Sequence, residues 1–194
     1  MPRGRDVSSL LRPLSEKPIQ AYFGQGLHTL GLLQWILRQT GRCSVFVSSY
    51  STSEPFLNGF FLLRRRGLVA RSAILLDNRA ARKTVQLEEL LSNSFDAVFL
   101  GQNHSKVLLV HNSSWQVSVV TSQNQTYGNR AESTIVTTDG EVYDQLMRQF
   151  TDSCGTGAVE IDVKNGKGII TEDRGACQSA VDTPADWRPF GVEF

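Results

Sequence analysis

The stretch "NHSKVLLVHN", residues 103–112, places a histidine and a lysine two positions apart, ahead of four aliphatic residues. A strand sends alternate side chains to the same face, so His104 and Lys106 are expected to project together. An ammonium beside an imidazole does not suit a core, where unpaired charge is costly. Further along, "TSQNQT" offers Ser122 and Asn124, again two apart. A hairpin turning near residues 112–114 lays them alongside His104 and Lys106. Glu132 opens the next β-type segment, "ESTIVTTD". One cluster then holds an imidazole, an ammonium, a hydroxyl, a carboxamide and a carboxylate.

These groups suit phosphoryl transfer. The transition state spreads negative charge over the phosphoryl oxygens, which Lys106 and the Asn124 amide can stabilise. Histidine is a competent nucleophile towards phosphorus. A carboxylate on the other ring nitrogen would fix the tautomer and support the developing positive charge, a role for which Glu132 is placed. No metal is required, and the sequence offers no cluster with metal-ligand spacing. Taken singly, each residue is ordinary. HxK arises by chance, Lys106 could guard a strand edge, and Ser122 and Asn124 could form turns. The ordered set on consecutive strands is what points to a site.

The elements that must carry these residues read as an α/β fold. Leu27, Leu30, Leu33 and Leu37 recur at helical spacing in "GLHTLGLLQWILRQTG", and Gly41 follows as a C-cap. His28 lies on this predicted helix as a surface or packing histidine. "CSVFVSSY" reads as a strand, and "SEPFLNGFFLLRRRG" as a helix capped by Ser53, with Pro55 in its first turn and Gly67 after its end. "SAILLDN" is a continuous apolar strand, residues 83–93 form a helix, and "FDAVFLGQ" forms a strand. This alternation argues for parallel βαβ units covered by helices on both faces. Then come the HxK and SxN strands as an antiparallel hairpin, a third strand from Glu132, and a helix. Thr138 and Glu141 form a capping-box pattern for that helix, and Tyr143, Leu146, Met147 and Phe150 give it an apolar stripe. The expected sheet is therefore mixed.

Length and composition bound the reading. With 194 residues, 40% hydrophobic and 20% charged, the chain suits one globular domain. No apolar run approaches the roughly 18 residues of a membrane helix, and the basic start lacks the apolar centre of a signal peptide, so a cytoplasmic protein is expected. Cys43, Cys154 and Cys177 are widely spaced and odd in number, which suggests reduced, structural thiols. Residues 1–20, with three prolines, read as an N-terminal arm, residues 21–154 as the α/β domain, and residues 155–194 as an extension. The extension carries "AVEIDVKNGKGII", a candidate hairpin turning at residues 165–166, and Trp187, Phe190 and Phe194 as docking or packing aromatics. The net charge of +1 divides into 16 Lys+Arg against 12 Asp+Glu before Gly155, and 4 against 7 from there on. A mildly basic body thus permits a polyanionic partner without demanding one.

Arg79, Arg82 and Lys83 follow a strand in "DNRAARKT", where open α/β sheets bind ligands, and are candidates to hold nucleic-acid phosphates. They could instead decorate a helix start. Arg64, Arg65, Arg66 and Arg71 read more simply as a solvated helix end. Tyr50 and Tyr127 alone near the site could stack on bases. No base-reading motif is present, so little sequence preference is expected.

The ordered set resembles the phospholipase D (HKD) superfamily. "HSKVLLVH", "TSQNQT" and "AESTIV" stand where that family has HxKxxxxD, GSxN and a downstream glutamate, a likeness spanning roughly residues 20–154. The resemblance implies a phospholipase D-like fold, a phosphohistidine at His104, phosphate binding by Lys106, motif roles for Ser122 and Asn124, and support from Glu132. Two positions depart from it: His111 stands in place of the motif aspartate, and Thr121 in place of a glycine. The family's chemistry uses two motifs and this chain carries one. Small single-motif members are nucleases that dimerise, which implies a homodimer acting on DNA or RNA without cofactor or membrane. A catalytically silent module binding nucleic acid or an assembly partner, and a lipid or small-molecule phosphodiesterase, remain the alternatives.

Overall fold

The computed structural model describes residues 6–80, 86–125 and 130–161. Arg82, Lys83, Tyr127, Cys177, the turn at 165–166 and the aromatic residues Trp187, Phe190 and Phe194 lie outside them. The described elements run β1 (Ile19–Gly24), α1 (Thr29–Thr40), β2 (Cys43–Ser49), α2 (Glu54–Arg65), β3 (Val69–Asp77), α3 (Glu88–Ser94), β4 (Ala97–Gly101), β5 (Val107–His111), β6 (Gln116–Thr121), β7 (Glu132–Thr137), α4 (Gly140–Thr156) and β8 (Val159–Glu160). Eight strands make one mixed sheet in the order β1-β7-β6-β5-β2-β3-β4-β8. β2, β3 and β4 are parallel. From β2 outward through β5, β6, β7 and β1, every pairing is antiparallel.

Alternation along the strands sorts the core into two layers. Val45, Val47, Ile74, Leu76, Val98, Leu100, Leu108 and Val110 face α1, α2 and α3, whereas Phe46, Ala73, Leu75, Phe99 and Leu109 face Tyr143 and Phe150 of α4. Helices therefore cover both faces, and the mixed α/β reading holds. Phe60 of α2 stacks on Phe95 with centroids 4.3 Å apart. Gly41 ends α1 at φ 77° and donates its N–H to Leu37 O, a conformation that glycine adopts without steric cost.

Several elements differ from the sequence reading. β1 was not expected, because its pattern is inverted: Ile19 and Phe23 are exposed, and polar Gln20 is buried. The Gln20 carboxamide explains the inversion. Its Oε1 accepts from Arg12 N at 2.7 Å, and its Nε2 donates to Arg12 O and Lys17 O at 2.8 and 2.9 Å. That bracing holds residues 6–18 against the sheet, with Val7, Leu11 and Leu14 in the core. His28 precedes α1 as its N-cap instead of lying on it. The cap of α4 is Asp139, not Thr138, since Asp139 Oδ1 accepts from Val142 N at 3.0 Å. Helix α3 falls within the helix expected over 83–93, whose first residues, 83–85, lie outside the described ones. Val159–Glu160, in the segment expected to open a hairpin, pairs antiparallel with β4.

Two features position the far ends of β5. At its start, the segment between β4 and β5 is fastened by Asn103, which is 7% exposed. Its Nδ2 group donates to Ser48 Oγ at 3.0 Å, Ser49 O at 3.2 Å and Leu75 O at 3.1 Å. Its Oδ1 accepts from Ser105 N and Ser105 Oγ, and its own N–H donates to Asp77 Oδ2 at 2.9 Å. At its end, His111 hydrogen-bonds through Nδ1 with the Tyr143 hydroxyl and stacks on Phe46, centroids 5.7 Å apart. Burial, and secondarily the charge of Arg71, lower the His111 pKa.

Replacing Asn103 by Ala strips partners from two buried carbonyls and is expected to cost about 2–3 kcal/mol in urea denaturation; a change within error would remove the fastening from the account. The depressed His111 pKa has a definite sign. Below the ordinary value of 6.5 the unfolded chain takes up a proton that the folded state resists, so stability falls as pH drops through and below that point. His28, lowered by burial, acts in the same direction. The melting temperature should therefore decline from pH 7 to pH 5, less steeply in His111→Gln, and identical slopes in the two proteins would contradict the linkage.

Candidate active site

All the residues singled out by the HxK and SxN motifs lie at one end of the sheet. There β2, β3, β4 and β6 finish and β5 and β7 begin. β5 starts at Val107, so His104 and Lys106 lie in the extended segment just before it rather than on the strand. The ladder nonetheless reaches Lys106, whose carbonyl accepts from Thr121 N at 3.0 Å. The two side chains share a side as the spacing implies. Lys106 Nζ lies 3.4 Å from His104 Nδ1 and donates to the His104 carbonyl at 2.6 Å. Tyr50, just beyond β2, forms a wall: its ring centroid lies 5.4 Å from that of His104 and 6.0 Å from Lys106 Nζ. His104 is exposed and Lys106 half-buried. Burial lowers the Lys106 pKa, and the charge of Glu132 opposes that shift.

The second motif approaches from β6 and β7. Ser122 N donates to Ser133 O at 3.0 Å, and Ser133 N to Ser122 Oγ at 3.1 Å. The Ser122 hydroxyl donates to Glu132 Oε2 in a short hydrogen bond. The carboxylate is thus held by Ser122 and felt by Lys106, which differs from the imidazole partnership that the sequence suggested. Thr121, at the family's glycine position, fits through its hydroxyl, which donates to Ser133 O at 3.0 Å and lies 2.9 Å from Thr134 Oγ1.

Asn124 goes elsewhere. Its Oδ1 is buried without a hydrogen-bond partner among the described residues, and the residue lines a separate cleft between the starts of α1 and α2. The chain here alternates. Gln123 turns inward, where its Oε1 accepts from Thr29 N at 2.9 Å and Thr29 Oγ1 at 3.0 Å, tying the motif to the first turn of α1. Arg79 is exposed directly after β3, and its N–H donates to Asp77 Oδ1 at 2.8 Å. One carboxylate therefore braces both the Arg79 turn and the Asn103 segment. Arg64 is engaged structurally, in an ion pair with Asp96 that binds α2 to the β3–β4 side of the sheet. Among the described residues, no group of three or more His, Cys, Asp or Glu is arranged to hold a metal ion.

Asn103, Asp77, Ser48, Ser105 and Gln123 position the site without having been singled out by the sequence. Asn103 stands next to His104 in the opening motif, but its work is burial and bracing, which a pattern of charged and nucleophilic groups does not reveal. Tyr50 carried a stacking suggestion, and it lies against the His104 ring.

This arrangement brings a nucleophile-type ring, a cation and an aromatic wall to an open surface, with a hydroxyl–carboxylate pair alongside. An anionic group can take the place of the His104 carbonyl on the Lys106 ammonium, because a cation is attracted more strongly by an anion than by a neutral carbonyl.

No family model matches this chain, and no curated protein matches its sequence. Solved structures do match. NucT from Helicobacter pylori superposes with a TM-score of 0.53 at 15% identity, over 73% of this chain and 98% of NucT. Polyphosphate kinase from Porphyromonas gingivalis gives a TM-score of 0.53 at 12% identity over 70% of this chain, which spans only 26% of that larger protein. TrmBL2, an archaeal chromatin protein, gives 0.51 at 11% identity over 75% of this chain and 55% of its own. At these identities the likeness concerns architecture. The chain has a phospholipase D-like fold: a mixed eight-stranded sheet with helices on both faces.

Proposed function

We propose that this protein is a metal-independent phosphodiesterase acting on nucleic acid, DNA first, through a phosphohistidine at His104. The observation that carries the reading is the fixed pairing of the His104 ring with the Lys106 ammonium, 3.4 Å apart on an open surface. A ring nitrogen of His104 attacks phosphorus, the bond to the leaving oxygen breaks, and that oxygen takes a proton. Water then attacks the phosphohistidine, releasing the phosphoryl product and restoring the imidazole. Lys106 balances charge on the non-bridging oxygens. Partial burial of the Lys106 side chain, which lowers its pKa, is offset when an anion pairs with the ammonium. Arg79 extends the positive surface at the end of the parallel strands, in line with backbone contacts to a polyanion. TrmBL2, of the same fold, is described as binding DNA.

The proton for the leaving oxygen needs a second acid. A second copy of the chain would supply it through its own His104 across a two-fold axis. An exposed apolar strip supports such pairing. Val120, Ile135, Phe23 and Ile19 are 43%, 50%, 81% and 60% exposed. The strand registers place Val120 opposite Ile135 and Ile135 opposite Ala21, so these side chains share one face of β6, β7 and β1. The strip reaches the start of β7, where Glu132 stands. Contiguous exposed apolar surface of this kind marks association.

Two observations favour a catalytically silent phosphate-binding module as the second reading. Asn124 lines a cleft that His104 does not, and Glu132 is engaged by Ser122. Kinetics separates the two. Bis-p-nitrophenyl phosphate should be hydrolysed in the presence of EDTA, with a loss of about 10³-fold or more in His104→Ala. Lys106→Met should lose about 10²–10³-fold, as for removal of a transition-state charge donor. Salt-sensitive DNA binding that survives His104→Ala, with no hydrolysis by the parent, would establish the silent module instead. Sedimentation should give a dimer whose dissociation, on Ile135→Lys, removes hydrolysis with it. A fully active monomer would refute the shared site.

A further inference from the structure

Beside the SxN motif, a cleft of about 340 Å³ opens where α1 and α2 begin. Trp35 and Phe56 give it aromatic walls, Gln34 and Arg38 line it from α1, and Asn124 and Gln125 close its inner side. The unusual member is Gln125. It is 2% exposed, and among the described residues its side-chain Nε2 and Oε1 are both buried without a hydrogen-bond partner. Asn124 Oδ1, next to it, is equally unpartnered. The backbone here is not loose. Gln125 N donates to Ser49 Oγ at 3.1 Å, and its carbonyl accepts from Ser53 Oγ at 3.0 Å. A held backbone thus carries a side-chain donor and acceptor that the described residues leave unpaired, and buried polar groups are normally satisfied.

The geometry points to this cleft as a pocket for a nucleobase of the substrate, a purine of the adenine type, read by the Gln125 carboxamide. This inference rests on the nucleic-acid reading of His104. A carboxamide matches adenine with two hydrogen bonds, its oxygen accepting from N6–H and its nitrogen donating to N7. Aromatic walls suit the faces of a base. The volume lies at the small end of ligand pockets, the size for one base or nucleoside rather than a chain. Two helix N-termini alone would suggest an anion. Here Asp6 and Arg38 both line the cleft, one charge of each sign, so a neutral heterocycle fits. Gln125 follows Ser122 by three residues, at most about 10 Å of chain, which places the pocket within a nucleotide or two of the proposed phosphoryl site. The occupant would then be a base turned out of any duplex, and the enzyme would prefer single strands with a purine next to the cleaved bond.

Calorimetric titration of the full chain with nucleosides tests this. Adenosine should give saturable binding at least about 10-fold tighter than uridine. Gln125→Met, of similar length but without the amide, should weaken adenosine at least about 10-fold. Gln34→Trp fills the cleft from a half-buried position on α1 and should abolish binding, which keeps the test intact if the core variant does not fold. Absence of saturable binding at millimolar adenosine, equal affinities for adenosine and uridine, unchanged binding in the variants, or displacement of adenosine by inorganic phosphate would each overturn the assignment. Adenosine carries no phosphate, so a failure here leaves hydrolysis at His104 standing, and a failure of hydrolysis leaves nucleoside binding measurable.

Discussion

The site depends on one buried carboxamide. Asn103 gathers Ser48 and Ser49 at the end of β2, Leu75 near the end of β3, and Ser105 in its own segment, while Asp77 holds its backbone N–H. Apart from those to Ser105, these contacts cross between elements far apart in sequence. A half-satisfied network of this kind would be worse than an apolar core, and a complete one rigidifies what it touches. The residue that follows is His104. A nucleophile must be held close to its productive geometry to gain from proximity, and the exposed ring has few packing partners of its own. Its position is borrowed from the asparagine behind it and the Tyr50 ring beside it.

The mixed sheet explains why so many chemically useful groups meet. Parallel strands β2, β3 and β4 all finish at one end, as in any open α/β sheet, where ligands gather. The switch to antiparallel pairing at β5 brings the beginning of that strand, the end of β6 and the beginning of β7 to the same end. Two short sequence motifs therefore converge with the ends of three parallel strands. Asp77 shows the economy of the arrangement, with one oxygen on the Asn103 amide and the other on Arg79. Gln123 and Gln125, interleaved with Ser122 and Asn124, fasten the second motif to α1 and to the β2–α2 connection.

Much of this was legible in the sequence where side-chain chemistry and burial agree. The apolar runs of β2, β3, β4 and β5 are buried on both faces and show as continuous hydrophobic segments. The His104–Lys106 pair shows through its spacing, and the hairpin through its turn, where Asn112 Oδ1 accepts from Ser114 N and Trp115 N. What was not legible follows from polar residues doing interior work. Gln20 turns β1 inside out, so a strand with exposed Ile19 and Phe23 escapes any pattern that puts apolar residues inside. Asn103 and Gln123 look like loop residues because their partners are backbone groups up to about a hundred positions distant. Asn124 shares a spacing with Ser122 yet serves another cleft, since alternation fixes a face only while the strand continues, and β6 ends at Thr121. His111, at the motif's aspartate position, keeps a hydrogen-bonding role by meeting Tyr143.

The central claim is that the His104 imidazole bonds to phosphorus during turnover. Mass spectrometry of the protein quenched in alkali during steady-state hydrolysis of bis-p-nitrophenyl phosphate examines that bond itself. The account predicts a p-nitrophenylphosphoryl adduct on the peptide containing His104, absent from His104→Ala. Sustained hydrolysis with the adduct on a different residue, or with no adduct at any quench time, would contradict it.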